Sequence, residues 1–292
     1  MKFPFATLLL FAAVAGAYFF LSGGLLYLDQ ATLDGLALNS SKSPFGFFSY
    51  MFVHVGIVHL AGNLLPLLLF ALLLELSLLA AMDVLVVFVG AGIIASALFS
   101  ALNPSVALVG ASAGVSGLIG AAVSVKPKYA LPLLLLSPFL FTFFVLPVVG
   151  GISFSQQQAV FESVNNLNRE FDQYAHENNT QAASEMNAKL SNAERQKKVL
   201  EEGVKREAST PSDFFVHMVG VAFGVAYVFF LRRSVFQKGA QEFLSTLRSL
   251  PFARKTKNTA PVKSFAAGEP KNKFIKARAT PAKRRSKRRA KA

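Results

Sequence analysis

Cysteine is absent from the 292-residue chain. Its absence excludes a disulfide framework, a thiolate nucleophile and a metal site built on cysteine sulfur, and it leaves the redox compartment unreadable. Histidine is also rare, with four residues and no HExxH pattern. The sequence therefore predicts no metal site and no cofactor.

Acidic residues are few, 16 against 30 Lys and Arg, which gives a formal charge of +14. The excess lies at one end of the chain. Residues 232–292 hold 19 basic and two acidic residues, whereas residues 1–231 hold 11 basic and 14 acidic ones. A nearly neutral body with a cationic tail excludes an evenly basic soluble domain.

Long apolar runs are abundant, since 53% of the residues are hydrophobic. A membrane-spanning helix needs about 20 mostly apolar residues. Six runs approach this length: about Phe3–Leu21, Gly56–Leu79, Val84–Leu102, Ala111–Val125, Ala130–Gly150 and Phe214–Leu231. We expect an all-α, polytopic membrane protein of six spans, numbered 1 to 6 in this order. The alternative for the first run is a signal peptide, because Lys2 precedes it and small residues surround Ala15–Ala17.

The distribution of positive charge predicts the orientation. With six spans, Lys2, Lys126, Lys128 and the basic tail share one side, which we expect to be cytoplasmic. Residues 151–212 then lie outside the cell membrane.

Four polar residues interrupt the apolar spans: His59, Asn63, Ser112 and His217. Such residues are costly within a membrane and indicate a functional site. His59 and Asn63 are four residues apart and share a helical face. All four are expected near the outer ends of spans 2, 4 and 6, and therefore at a similar depth.

Small residues favour close approach of spans 4 and 6. Gly220 and Gly224 follow His217, and glycines punctuate span 4. If these helices meet, we expect Ser112 Oγ within hydrogen-bond reach of His217, which would serve as its base. The His59 ring, the Asn63 amide and the Ser112 backbone N–H are then candidate donors to an oxyanion. Asp213 is the carboxylate nearest His217 in sequence, so a Ser–His dyad is favoured over a triad.

These motifs resemble the rhomboid family of intramembrane serine proteases over about residues 45–232. The resemblance rests on His54, His59 and Asn63, on Gly110, Ser112, Gly117 and Gly120, on His217, Gly220 and Gly224, and on Glu75. It implies a six-helix rhomboid-like bundle that cleaves transmembrane helices of other proteins near their outer ends. It implies that Ser112 is the nucleophile and His217 the base, that His59, Asn63 and Ser112 form the oxyanion hole, and that His54 has a supporting role.

The chain departs from the family pattern at several places. Ala113 replaces the second glycine of GxSG, and Ser116 stands where an aromatic residue often packs on the catalytic histidine. The Trp–Arg pair of the first outer loop is missing because the chain has no Trp.

Residues 151–212 form the largest departure, because a short loop is usual between spans 5 and 6. Two sets of apolar residues recur there at helical spacing, around a polar break at 176–180. The pattern predicts an extracytoplasmic helical hairpin. Two interpretations stay open: a stalk or dimer contact, and a lid or substrate-selecting element above Ser112. Asn178 begins a weak glycosylation sequon.

The tail from residue 233 is predicted to be basic, cytoplasmic and largely disordered, with a short amphipathic helix over residues 240–250 and disorder from about Arg254 onward. Anionic lipid is the favoured partner of its Lys and Arg residues, and nucleic acid is the less favoured one. Two other functions compete with proteolysis: a non-catalytic rhomboid-like protein that binds transmembrane clients, and a small transporter. Internal repeats, which would favour a transporter, are not seen. Substrate identity and oligomeric state are not predicted.

Overall fold

The computed structural model of the chain describes residues 3–38, 44–77, 79–177, 179–209 and 214–249. Within these ranges the protein is all-helical, and no extended strand is formed. Lys2, the sequon at Asn178, Asp213 and the tail from residue 250 lie outside the described residues.

Eleven α-helices make up the described part of the chain. They are α1 (Phe5–Ser22), α2 (Gln30–Leu36), α3 (Gly46–Ser49), α4 (Ile57–Ser77), α5 (Ala81–Leu102), α6 (Ser112–Val125), α7 (Pro127–Leu140), α8 (Leu146–His176), α9 (Thr180–Ser209), α10 (Phe214–Leu231) and α11 (Arg233–Ser249). A short 3₁₀ turn, Tyr50–Phe52, follows α3, and a π-helical segment, Phe141–Val145, joins α7 to α8.

Five stretches of helix in the described residues are long and apolar enough to cross a membrane: α1, α4, α5, the continuous helix Pro127–His176, and α10. The multi-pass, all-helical architecture therefore agrees with the prediction. Helix α6 is also apolar but has only 14 residues. Its shortness was anticipated for span 4, and the count of six spans stays a prediction.

Helix α6 lies at the centre of the bundle and contacts α4, α5, α7, α10 and α11. Ten of its 14 residues are buried. Its closest neighbour is α10, where glycines remove the side chains that would hold the helices apart. A Cβ on Gly220 would collide with the Ala113 carbonyl oxygen, and one on Gly224 with that of Gly117. Close van der Waals packing of this kind, through small residues, is a main driving force for helix association in lipid, where the hydrophobic effect does not act between helices.

The helix that begins at Pro127 continues without a break to His176, a length of 50 residues. The pattern of the sequence suggested an end to the span near Gly150, but neither Gly150 nor Gly151 interrupts the helix. Glycine in a helix costs only about 1 kcal/mol relative to alanine, which does not by itself terminate a helix. The π-helical segment follows Pro138, whose missing N–H disturbs the regular hydrogen-bond ladder.

Helices α8 and α9 pack against each other on either side of the polar break at 177–179. Val164, Leu190 and Ala193 are buried between them. The base of this hairpin contacts the segment that follows α1. The Gln156 side chain accepts a hydrogen bond from the Leu26 N–H at 3.0 Å, and Tyr27 Oη lies 3.1 Å from Ser153 Oγ.

Two buried carboxylates link helices at the end of the bundle opposite the base of the hairpin. Glu75 accepts hydrogen bonds from the backbone N–H groups of Ala6 and Thr7, each at 2.9 Å, in the first turn of α1. Asp83, in the first turn of α5, pairs with Arg232 at 2.6 Å after the end of α10. Each carboxylate thus links two elements that are distant in sequence.

The glycine contact between α6 and α10 gives the first prediction. Gly224→Ala should destabilise the bundle by about 1–3 kcal/mol or more, because the new methyl group meets backbone atoms that cannot move independently. The measurement is thermal unfolding of the purified protein in detergent.

Gly16→Ala is the matched control, since a Cβ at Gly16 would meet no atom within 4 Å. This variant should keep or slightly raise the unfolding temperature, because alanine is the better helix former. Equal stability of the two variants would contradict the proposed role of the close contact.

Candidate active site

The loop before α6 presents Ser112 at the start of that helix. Gly110 has φ of 107°, a conformation that favours glycine, and its N–H donates to the Tyr50 carbonyl at 2.9 Å. A Cβ at Gly110 would also lie 2.9 Å from the His59 ring. The glycine of the Gly–Ala–Ser sequence is therefore required both by the backbone and by the neighbouring histidine.

His54 supports the same loop. Its side chain is completely buried, and its Nε2 atom accepts a hydrogen bond from the Ala111 N–H at 3.3 Å. The His54 and His59 rings lie edge to face, with 5.1 Å between centroids. His54 therefore contacts the residue immediately before Ser112.

His59 and Asn63 lie on consecutive turns of α4, as their spacing predicts. The Asn63 side-chain amide donates to the His59 carbonyl at 2.9 Å, and Asn63 is buried. His59 is the third residue of α4, so both side chains depend on the position of the first two turns of this helix.

His217 lies in the first turn of α10, and its ring contacts Ser116, the residue that replaces the aromatic side chain of the family pattern. The Nδ1 atom is 3.2 Å from Ser116 Oγ. Ser116 is four residues after Ser112, so both hydroxyl groups lie on one face of α6. The resemblance had already placed residue 116 beside the histidine, but the sequence did not predict a hydrogen bond between them.

One cavity of about 710 Å³ brings the polar residues together. Ser112, His217, His59 and Asn63 all line it, although they come from three helices. The remaining wall is mainly apolar and includes Val55, Val58, Phe99, Val106, Leu108, Phe141 and Val216. The cavity combines a hydroxyl, two imidazoles and an amide with walls suited to an apolar chain.

Glu207, near the end of α9, also lines this cavity. Its Oε1 atom accepts a hydrogen bond from the His59 backbone N–H at 2.7 Å. The sequence did not predict this contact, because Glu207 is one of several acidic residues in a polar helix. No local motif relates it to α4.

Burial raises the pKa of Glu207 above its ordinary value, because removal from water disfavours the carboxylate. Hydrogen bonds from the N–H groups of Val58 and His59 and from Tyr27 oppose this shift, but burial dominates. The pKa of Tyr27 is also raised, first by burial and further by the nearby Glu207 charge.

The supporting glycines of α10 do not line the cavity. Gly220 and Gly224 lie on the α6 side of the helix, against the carbonyl groups of Ala113 and Gly117. Their contribution is to set the distance between the helices that carry Ser112 and His217. No group of three or more His, Asp or Glu residues suited to a metal ion occurs among the described residues.

Comparison with known proteins gives one family match, which covers part of the chain. Residues 41–176 match the family model described as Rhomboid domain. The matched range contains His54, His59, Asn63 and Ser112 and ends before α9 and His217. The match supports the rhomboid family and, together with the apolar helices, a multi-pass membrane protein. No curated protein and no solved structure matches the chain.

The raised pKa of Glu207 predicts how the docking of α9 depends on pH. The Glu207 carboxyl group is protonated more readily when α9 is docked than when it is undocked and exposed to water. The docked state is therefore most stable below the ordinary Glu pKa of about 4.3, and it loses stability as the pH rises through the raised pKa of Glu207. Tyr18 and Tyr27 are ionisable side chains that interact with Glu207, whereas His59 contacts it through its backbone N–H.

Hydrogen exchange of residues 200–207, corrected for intrinsic rates, should show less protection at about pH 8 than at about pH 5. Glu207→Gln is the control, since its amide does not titrate, and it should remove most of this pH dependence. An unchanged dependence in the variant would assign it to another group.

Proposed function

We propose that the protein is an intramembrane serine endopeptidase that cleaves transmembrane segments of other proteins near their extracytoplasmic ends. The observation that carries the proposal is the common cavity of Ser112, His217, His59 and Asn63. These residue types supply a nucleophile, a base and hydrogen-bond donors, and their arrival at one cavity from three separate helices is unexpected for residues with only packing roles.

The reaction follows from the groups present. His217 takes the proton from Ser112 Oγ as the oxygen attacks the scissile carbonyl, and the resulting oxyanion receives hydrogen bonds from the His59 ring, the Asn63 amide and the Ser112 N–H. The protonated His217 then gives its proton to the leaving amine, and an acyl-enzyme remains on Ser112. A water molecule, deprotonated by His217, attacks the ester, releases the carboxylic acid and restores Ser112. No cofactor is required.

Ser116 orients the base in this mechanism. Its hydroxyl lies 3.2 Å from Nδ1 of His217, so the ring is held through the nitrogen on one side. The opposite nitrogen, Nε2, is then the one that serves Ser112. A hydroxyl thereby takes the place at which related proteins often have an aromatic ring, and it replaces stacking by a hydrogen bond.

The charge distribution supports the orientation of the site. Lys126 and Arg232 lie at the end of the bundle opposite Ser112, where α6 and α10 end. With that end in the cytoplasm, the cavity opens toward the extracytoplasmic side and the basic tail meets the inner leaflet. Anionic lipid is the proposed partner of the tail, in preference to nucleic acid.

The central test is cleavage of a model transmembrane substrate by the purified protein. Ser112→Ala and His217→Ala should each abolish cleavage, and Ser112→Ala should also abolish labelling by a fluorophosphonate probe. Ser124→Ala is the matched control, because it removes a hydroxyl from the far end of the same helix, where the hydroxyl donates to the Gly120 carbonyl.

Retained cleavage in either active-site variant would contradict the proposed mechanism. Absence of both cleavage and labelling in the folded wild-type protein would favour the other candidate function, a non-catalytic protein that binds transmembrane clients.

Ser116 gives a separate prediction. Ser116→Ala should lower kcat by up to about tenfold with little change in KM, because one neutral hydrogen bond contributes about 0.5–1.5 kcal/mol. Ser116→Thr keeps the hydroxyl and should retain most of the rate. The measurement is steady-state cleavage of the same substrate, and an unchanged kcat in Ser116→Ala would rule out the orienting role.

A further inference from the structure

Helix α4 begins without a capping residue of its own. The first backbone N–H groups of a helix have no partner within it, and a Ser, Thr, Asp or Asn at the preceding position usually satisfies one. Here Val55 and Gly56 precede Ile57, and neither has a side-chain acceptor. The partners of these N–H groups must therefore come from elsewhere in the molecule.

Two distant segments supply them. The Ile57 N–H donates to the Leu26 carbonyl at 3.1 Å, and the His59 N–H donates to Glu207 Oε1 at 2.7 Å. The Val58 N–H also faces the Glu207 carboxylate. Glu207 is 148 residues from His59, so a residue of the inserted hairpin caps α4 across the fold.

Gly56 provides the space for this cap. A Cβ at position 56 would lie 2.7 Å from the carboxyl carbon of Glu207 and equally close to Oε1. An alanine there would displace the carboxylate from the end of α4. The glycine at the start of one element and the glutamate at the end of another are thus sterically matched.

The last two turns of α9 hold Glu207 in place. Leu200 is buried in the main core, and Gly203 packs directly on the Tyr27 ring. Arg206 donates to the Gln30 side chain at 2.8 Å and to the Leu28 carbonyl at 3.2 Å. The Gly203 and Arg206 contacts are made with residues 27–30 and not with α4 itself, so a second segment helps to hold Glu207 at the start of α4.

The capped turn is the one that carries the candidate oxyanion donors. His59 supplies both the N–H that Glu207 accepts and the ring that packs against Gly110. Asn63, one turn later, is tied to the same residue through the His59 carbonyl. A shift of the first turn of α4 would move both donors relative to Ser112.

We infer that Glu207 is a positioning residue of the active site, which caps α4 and thereby sets His59 and Asn63 for oxyanion binding. The inference rests on the proposed function. It makes the inserted hairpin a part of the catalytic unit, because α9 contributes the acceptor on which the geometry of α4 depends. Either protonation state of Glu207 offers an oxygen acceptor to the His59 N–H.

The test compares variants that remove the acceptor, keep it, or block its access. Glu207→Ala should lower kcat about tenfold with KM changed less than twofold, because the donors act on the oxyanion that forms during the reaction. Glu207→Gln should retain at least half of the rate, since its amide oxygen can still accept from the His59 N–H. Gly56→Ala should reproduce the effect of Glu207→Ala, because it displaces the carboxylate from α4 while residue 207 remains a glutamate.

Two further variants separate positioning from general loosening of the hairpin. Glu202→Ala, the same substitution at an exposed position of α9, should leave the rate unchanged. Arg206→Ala weakens the docking of α9 without removing the cap, and it should lower kcat less than threefold. Hydrogen exchange should show faster exchange at the His59 amide in Glu207→Ala but not in Glu207→Gln.

The outcomes distinguish the inference from the function on which it rests. If the wild type cleaves substrate and labels at Ser112, but Glu207→Ala has the wild-type kcat, the inference alone is overturned. An equal loss in Arg206→Ala and Glu207→Ala would also overturn it in favour of simple loosening. If the folded wild type neither cleaves nor labels, the proposed function fails and the inference falls with it.

Discussion

The close contact between α6 and α10 is the constraint on which the rest of the structure depends. Glycines at positions 120, 220 and 224 allow backbone atoms of the two helices to meet. A methyl group at Gly220 or Gly224 would meet backbone atoms of α6, the helix that begins with Ser112. The same contact places α6 at the centre of the bundle, where α4 and α5 pack on its other sides.

Carboxylates that accept hydrogen bonds from N–H groups at the starts of helices are a second feature that holds the bundle together. Glu75 bonds to the first turn of α1 and Glu207 to the first turn of α4, while Asp83 bonds to the Ala80 N–H before α5. Unpaired N–H groups are costly in apolar surroundings, and a helix N-terminus favours negative charge. Glu75 and Glu207 belong to other elements than the helices that they cap, so helix capping also fixes tertiary arrangement.

The hairpin of α8 and α9 contributes Glu207 to the wall of the cavity. Its base bonds to residues 24–30, and its last turns reach α4. The region that matches the Rhomboid domain ends at residue 176, before α9. The cavity is therefore lined both by the matched region and by α9 and α10 beyond it.

The sequence by itself predicted the all-helical, multi-pass character of the protein, because composition and run length are properties of local segments. It also named Ser112, His217, His59 and Asn63, because polar residues in apolar helices are conspicuous; their catalytic roles stay predictions. The uninterrupted helix from Pro127 to His176 was not predicted, since glycine weakens a helix without ending it.

Only the tertiary structure decided which side chains meet. The contact of Ser116 with Nδ1 of His217 depends on the rotation of α6 and α10 about their axes. The cap of α4 by Glu207 depends on how a remote hairpin docks, and the need for glycine at position 56 follows from that docking. Spacing along the chain shows which residues lie on the same face of one helix. A contact between two helices also depends on which faces they turn toward each other, and only their packing determines that.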